Sequence, residues 1–309
     1  MGALLNVILP VFLVLGFGYV AAWKGFFNDA GVDGLMKFAQ SFAIPCLLFQ
    51  AISTLDLGQS FDAALLTSYY AGALAGFTVG FAGAKFIFGR SNEDSVTIGF
   101  IGLFSNSLLL GLPITEQAYG SDALTSNYAI IAIHTPFCYA VGIIAMETVR
   151  NAGGAISALP AKVLSAMFKN AIILGITLGF AVNLSGLVIP AAIMSALDVV
   201  SQAALPAALF GLGGVLYRYR PEGDLRTIGF IVVVSLGVHP VVTYALTQAL
   251  DVPTDGVRSA VITSAMAPGI NVYVFANMYG TARRVAASAV LFGTLFCILT
   301  TWIWLSVLP

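Results

Sequence analysis

Two apolar stretches hold the residues whose types and spacing could do chemistry. Ser105 to Gly120 reads SNSLLLGLPITEQAYG, with Asn106, Gly111 and Pro113 inside a segment otherwise apolar enough for a membrane helix. Thr263 to Gly280 reads TSAMAPGINVYVFANMYG, and there Pro268, Gly269 and Asn271 interrupt the apolar run. Proline removes a backbone donor and clashes with the preceding turn, and glycine permits unwound geometry. In hydrocarbon, unpaired backbone costs several kcal/mol per group, so a broken helix is tolerated where it lines a cavity. At each break the second half-helix would start with unpaired N–H groups and a positive dipole end, which suits a carboxylate without any lysine or arginine. Ser105, Asn106, Ser107, Gly111, Pro113, Pro268, Gly269 and Asn271 are therefore read as one pocket for an anion, in which the two asparagine amides either bind substrate or satisfy freed carbonyls. The competing reading is a pair of proline kinks repaired by neighbouring helices.

Other polar residues at membrane depth are candidates for the same pocket or for coupling. Gln40-Ser41 and Ser201-Gln202 precede Pro45 and Pro206, and Gln40 and Gln202 either complete the pocket or act as hydrogen-bond glue between helices. His134, followed by Thr135-Pro136, is a candidate proton carrier or a neutral packing residue, and His239 before Pro240 carries the same two readings. Glu116 could bind a coupling cation or proton, or sit at the interface. Asp198 reads as a snorkelling interfacial carboxylate. Hydrolysis is not suggested: there is no GxSxG, no HExxH, and no carboxylate pair within one mid-membrane segment. No enzyme activity, metal or cofactor is expected, while coupling to H+ or Na+ stays open. Cys46, Cys138 and Cys297 lie inside apolar runs and read as packing residues.

These residues must be positioned by a membrane protein. Of 309 residues 59% are hydrophobic and only 9% charged, with a mean hydropathy of +0.96, too little charge to cover a soluble globule. A net charge of −1 without basic runs gives no support for nucleic-acid binding. No basic residue precedes the first apolar run and Lys24 follows it, the reverse of a signal peptide, so the first helix is expected to stay. At about 20 residues per crossing, the chain parses into ten spans, at 4–23, 33–53, 63–88, 97–119, 124–148, 164–184, 190–216, 227–250, 258–279 and 285–308. Twelve of the thirteen Lys and Arg residues, all but Arg258, then fall on one side. By the positive-inside rule that side is cytoplasmic and both termini are extracytoplasmic, in the cell (inner) membrane.

Internal matches suggest a repeat. Ala43, Pro45, Leu48 and Phe49 match Ala204, Pro206, Leu209 and Phe210 at an offset of 161, and Tyr119-Gly120 matches Tyr279-Gly280 at 160. Thr135, Phe137 and Cys138 match Thr294, Phe296 and Cys297 at 159. The expectation is an all-α integral membrane fold of ten transmembrane helices as two inverted five-helix repeats, with broken helices 4 and 9 crossing. Repeat 1 would occupy 1–150, a cytoplasmic linker 151–162 and repeat 2 residues 163–309.

At Asn106 to Pro113, and at GINVYVFANMYG followed by SAVLFG at 288–293, the sequence resembles the auxin efflux carrier family, which includes the plant PIN-formed carriers and bacterial malonate permeases. The resemblance spans essentially the whole chain. It implies a fold like the bile-acid symporter and sodium/proton antiporter class. Helices 1, 2, 6 and 7 would form a dimerising scaffold, and substrate would bind at the crossing of helices 4 and 9 and move by an elevator-like displacement. The short linker, the position of Pro268 and Asn277-Met278 before Tyr279 depart from the plant pattern, and the wording of SNSLLLGLPITEQAYG is closer to the bacterial organic-acid branch. The expectation is a secondary transporter of small organic anions, malonate-like or auxin-like, working in the lipid bilayer as a homodimer. A sodium-coupled symporter of amphipathic anions and a non-transporting ligand sensor are the alternatives.

Overall fold

Hydrophobic runs interrupted by proline, glycine and asparagine give helices of two lengths. The computed structural model describes residues 2, 4–150, 170–219 and 221–309. The long helices are α1 (Asn6–Trp23), α2 (Asp29–Thr54), α3 (Ala63–Ile87), α6 (Thr125–Arg150), α8 (Ala191–Arg218), α9 (Leu225–Ala249) and α12 (Arg283–Val307). The short ones are α4 (Asn92–Leu103), α5 (Leu112–Tyr119), α7 (Ala171–Ser185), α10 (Thr254–Ser264) and α11 (Asn271–Tyr279). A π-type turn, Ser107–Gly111, leads directly into α5.

Seven of the described helices are long and apolar enough to cross a membrane. Among the described residues the protein is thus an all-α membrane bundle with seven membrane-spanning helices, which corrects the expectation of ten in two inverted five-helix repeats. Three expected spans account for the difference. Those at 97–119 and 258–279 are each cut into two short helices, because the backbone ladder stops at Phe104–Asn106 in the first and at Pro268 and Gly269 in the second, and the described part of the third, expected at 164–184, lies in a helix of 15 residues. The linker expected at 151–162 lies outside the described residues.

The contacts divide the chain into two compact units. One takes residues up to Ile8, the described part of 61–160 and the described part of 219–309, and so holds α3, α4, α5, α6, α9, α10, α11 and α12. The other takes 9–60 and the described part of 161–218, with α1, α2, α7 and α8.

In the eight-helix unit α3 and α4 touch backbone to backbone. A Cβ on Gly76 would run into the Gly102 carbonyl oxygen, and one on Gly102 into that of Gly76. Around this seam Tyr69, Phe100, Ile98 and Leu110 are fully buried. Tyr70 donates its hydroxyl to the Ile130 carbonyl at 2.7 Å, tying α3 to α6. Asp94, in the first turn of α4, accepts the Ala282 N–H at 2.9 Å, and Asp224 caps α9 and pairs with Arg90 at 2.7 Å.

The four-helix unit is built the same way. Gly18 on α1 sits against the Phe210 carbonyl, and Gly213 on α8 sits against that of Leu15. Asn183, near the end of α7, donates its amide to the carbonyls of Ile52 and Leu55 at 2.9 and 2.8 Å, satisfying the orphan acceptors at the end of α2. Arg218 closes the other end on Asp33 at 2.6 Å and Asp29 at 2.9 Å.

Candidate functional site

The two interruptions meet inside the eight-helix unit. Ser105 and Pro268 lie opposite each other as a two-residue antiparallel bridge, flanked by hydrogen bonds from Asn106 N–H to the Ala267 carbonyl at 2.7 Å and from Gly269 N–H to the Phe104 carbonyl at 3.0 Å. In this register the pair between the two bonds contributes no hydrogen bond of its own, so the N–H that Pro268 lacks is not missed. The backbone groups freed by unwinding are thereby paired without water, as hydrocarbon demands.

Asn106 starts the second half of its segment. Its Oδ1 accepts the Leu109 N–H at 3.2 Å, an N-cap, and its carbonyl accepts from Leu110 at 3.2 Å and Gly111 at 3.1 Å. Because a backbone N–H needs an oxygen acceptor, this cap also fixes which end of the amide is Nδ2. That Nδ2 is buried and has no partner, in a residue only 6% exposed. A buried orphan donor costs about 1–3 kcal/mol, so Asn106 Nδ2 is a strong donor with nothing to donate to; the His239 ring nitrogens and Thr243 Oγ1 are also buried without a partner. Asn271 stands at the start of α11, and its Oδ1 accepts the Tyr139 hydroxyl at 3.3 Å.

Behind the bridge lies a polar cluster. Ser105 Oγ and the Tyr69 hydroxyl are 2.7 Å apart, and Tyr69 in turn lies 3.4 Å from His134 Nδ1. His134 Nε2 faces the Ser105 carbonyl at 3.1 Å, an acceptor only, so Nε2 carries the proton and Nδ1 is left to accept. A directed chain from Ser105 through Tyr69 to His134 satisfies all three groups. Tyr69 also stands between two imidazoles, with ring centroids 5.7 Å from His134 and 5.1 Å from His239. Below the break, Asn127 on α6 donates to Thr263 Oγ1 at 2.9 Å and Thr115 Oγ1 at 3.3 Å, holding α5 against α10. The aromatic wall is Phe100 stacked on Phe275 at 4.1 Å, with Phe104 against His134 at 4.6 Å.

The two short helices that follow the breaks, α5 and α11, are tied down at their far ends. Tyr119 of α5 lies under the Arg258 guanidinium at 4.5 Å, and Tyr279 of α11 under that of Arg150 at 4.9 Å. Arg150 also donates to the Tyr279 carbonyl at 2.7 Å while pairing with Glu93 at 2.9 Å. Such cation–π contacts add about 0.5–2 kcal/mol each. The breaks are thus fixed at both ends while the middle stays free of charged side chains among the described residues.

Of the residues read from sequence, Ser105, Asn106, Ser107, Gly111, Pro113, Pro268 and Gly269 are buried at or beside the bridge, Asn271 is half-buried, and His134 is hydrogen-bonded to it. Glu116 is half-buried on α5, one residue past Thr115. Gln40 and Gln202 belong to the other unit, where Gln40 is half-buried and Gln202 is exposed and donates to Asp198 Oδ2 at 3.0 Å. Tyr69, Tyr139, Asn127, Thr115 and Thr263 escaped the sequence reading. Asn127 gave a usable signal, an amide in an otherwise apolar helix, whereas Tyr69 looked like any interfacial aromatic.

The profile of a family described as Membrane transport protein matches residues 3–305. A candidate malonate transporter of Rhizobium meliloti (strain 1021) is 25% identical over 308 residues, covering 97% of this chain and 94% of that protein. The uncharacterised transporter YfdV of Escherichia coli (strain K12) is 20% identical over 303 residues, covering 97% and 96%. Auxin efflux carrier component 7 of Arabidopsis thaliana is 26% identical over 145 residues, 46% of this chain and 23% of that protein.

Proposed function

The chain belongs to the Membrane transport protein family, and on that premise we propose that it is a secondary transporter of small organic anions, with a dicarboxylate of malonate size as the preferred cargo. Its family makes it a transporter and not an enzyme. The observation that carries the cargo class is the orphan Nδ2 of Asn106, a buried donor beside two half-helix starts with no charged side chain beside it among the described residues. A carboxylate accepts from such a donor at about twice the strength of a neutral acceptor, and the half-helix dipoles favour its charge. Ser107 and Asn271 supply further polar atoms, and the aromatic wall excludes water. The full-length candidate malonate transporter, similar over nearly the whole of both chains, favours that cargo over an auxin.

Transport follows an elevator-type cycle in this reading. The eight-helix unit carries the bound anion past the four-helix unit, which pairs with a second copy of itself as a fixed scaffold. The division of contacts into these two units supports the assignment. His134, tied to the bridge through Ser105 and Tyr69, is the group through which a proton could be coupled to the anion, and Glu116 is the second coupling candidate.

The test is uptake of labelled malonate and of labelled indole-acetate into proteoliposomes holding the purified chain, with proton, sodium and voltage gradients imposed singly. Malonate counterflow well above that of indole-acetate is expected. Saturable binding without counterflow of any organic anion would leave a sensor and overturn the reading.

A further inference from the structure

A groove on the eight-helix unit serves none of the roles above. It has a volume of about 670 Å³ and runs between α9 and α12, lined by Leu225, Val233 and Leu236 on one side and Phe292, Phe296 and Leu299 on the other. The two helices run parallel here, since Ser288 Oγ donates to the Glu222 carbonyl at 2.8 Å and accepts the Glu222 N–H at 3.1 Å where both helices begin. The walls are open outward: Leu225 is 63% exposed, Val233 69% and Phe296 51%.

Two glycines make the floor. Gly76, Gly80 and Gly102 press on a neighbouring helix, whereas a Cβ on Gly229 or Gly237 would meet nothing within 4 Å. Each costs about 1 kcal/mol of helix propensity relative to alanine, with no packing contact to offset it, so what they provide is the space itself. From Leu225 to Gly237 the helix rises about 18 Å, close to the about 15 Å of one leaflet of a 30 Å hydrocarbon core. The one polar side chain of the groove, Thr300, is already spent on the carbonyls of Cys297 and Ala265. At the Leu225 end the lining gives way to Arg226, exposed and without an ion pair among the described residues, and to Arg284, which reaches Glu222 only at 3.6 Å.

We infer that this groove is a binding site for one acyl chain of an anionic phospholipid, whose phosphate sits at Arg226 and Arg284. A slot one leaflet deep, apolar throughout and cationic at its mouth, fits a lipid better than a helix of a second protein. A partner helix would leave the glycine floor unfilled and bring nothing to the arginines. A lipid seated there would brace α9 against α12, the helix whose Gly293 packs against Pro268 of the bridge.

The full chain, purified in detergent, is incubated with phosphatidylglycerol or with phosphatidylcholine of the same acyl composition and read by native mass spectrometry. One phosphatidylglycerol is expected to survive conditions that strip loosely held lipid. Gly229→Leu with Gly237→Leu should cut its retention about tenfold or more, and Arg226→Ala with Arg284→Ala should bring it down to the phosphatidylcholine level. Neither glycine meets a neighbour, so the leucine pair should keep its thermal midpoint; Gly229→Ala with Gly237→Ala, which can only raise helix propensity, is the second variant and should retain less lipid than the parent. Unchanged phosphatidylglycerol retention in the folded glycine variants would overturn the site, as would loss of a dimer in those variants with lipid retention intact.

Discussion

Asn106 offers a substitution pair that tests its amide as a substrate donor. Its Oδ1 caps the Leu109 N–H and its Nδ2 is the unpaired donor. Asn106→Ala removes both. Losing a charge-assisted hydrogen bond to a carboxylate costs about 1.5–3 kcal/mol, which at 1.4 kcal/mol per decade is about 10- to 150-fold in affinity. Losing the cap costs a further 0.5–2 kcal/mol or so of stability. Asn106→Asp keeps the shape and keeps an oxygen for Leu109, but turns the donor into a second carboxylate oxygen facing the anion. Two unit charges at about 4 Å repel by about 4 kcal/mol at an effective dielectric of 20, so with the donor also gone binding should weaken by about 5 kcal/mol or more, beyond detection for a micromolar ligand. The expected order of malonate affinity is parent, then Ala, then Asp, while in the ligand-free protein Asp should melt lowest, because its carboxylate is buried with no cation to pair it among the described residues. Isothermal titration in detergent gives the affinities and a thermal melt the stabilities. If Asn106 were only a cap, Asp would bind malonate as the parent does, and that result would refute the assignment of its amide to the substrate.

Tyr69→Phe removes the hydroxyl that links Ser105 to His134; we expect a loss of about 1–2 kcal/mol in unfolding, seen as a lower thermal midpoint, and a flux-versus-pH profile altered from the parent's if His134 carries the coupled proton. Gly76→Leu places a side chain against the Gly102 backbone, which cannot swing aside, so the cost should be about 3 kcal/mol or more and the purified protein should aggregate on size exclusion. Asn183→Ala strips the cap from the end of α2 and should lower the midpoint by the equivalent of about 1–2 kcal/mol, leaving malonate affinity unchanged because the residue lies in the four-helix unit. The Asp224 carboxyl is held below its usual range by the Thr227 hydroxyl, the Arg226 N–H and Arg90. A depressed folded-state pKa stabilises above the unfolded value of about 3.9 and is lost as pH falls through the lower folded value, so the gap in midpoint between parent and Asp224→Asn should be open at pH 7 and close below about pH 4.

What the sequence could carry and what it could not follow from the range over which each signal acts. Proline and glycine act on their own turn, so Pro268 and Gly269 mark a place where the ladder stops, whereas the helix runs on through Pro113, which sits in the first turn of α5. Whether such a place kinks a long helix or cuts it into two short ones depends on what pairs the freed backbone. Here that partner is the other interruption, about 160 residues away, and no local pattern reports it. The sequence therefore overcounts the long helices, because 97–119 reads as one apolar span even where Phe104 to Asn106 is not helical and is bonded to Ala267 and Gly269. Side-chain roles divide in the same way. Asn106 could be singled out because an amide in hydrocarbon is costly wherever it points, yet the split of its two ends between a cap and an orphan donor requires knowing that Leu109 N–H comes round to meet Oδ1. Tyr69 carries no local cost, since a tyrosine is half apolar, and its place between Ser105 and two imidazoles exists only once α3 has packed on α4 through Gly76 and Gly102. The glycines themselves show the limit most plainly. Gly76 and Gly229 are the same residue in similar apolar helices, one closing a backbone contact and the other holding a groove open, and only the neighbour that is present or missing tells them apart.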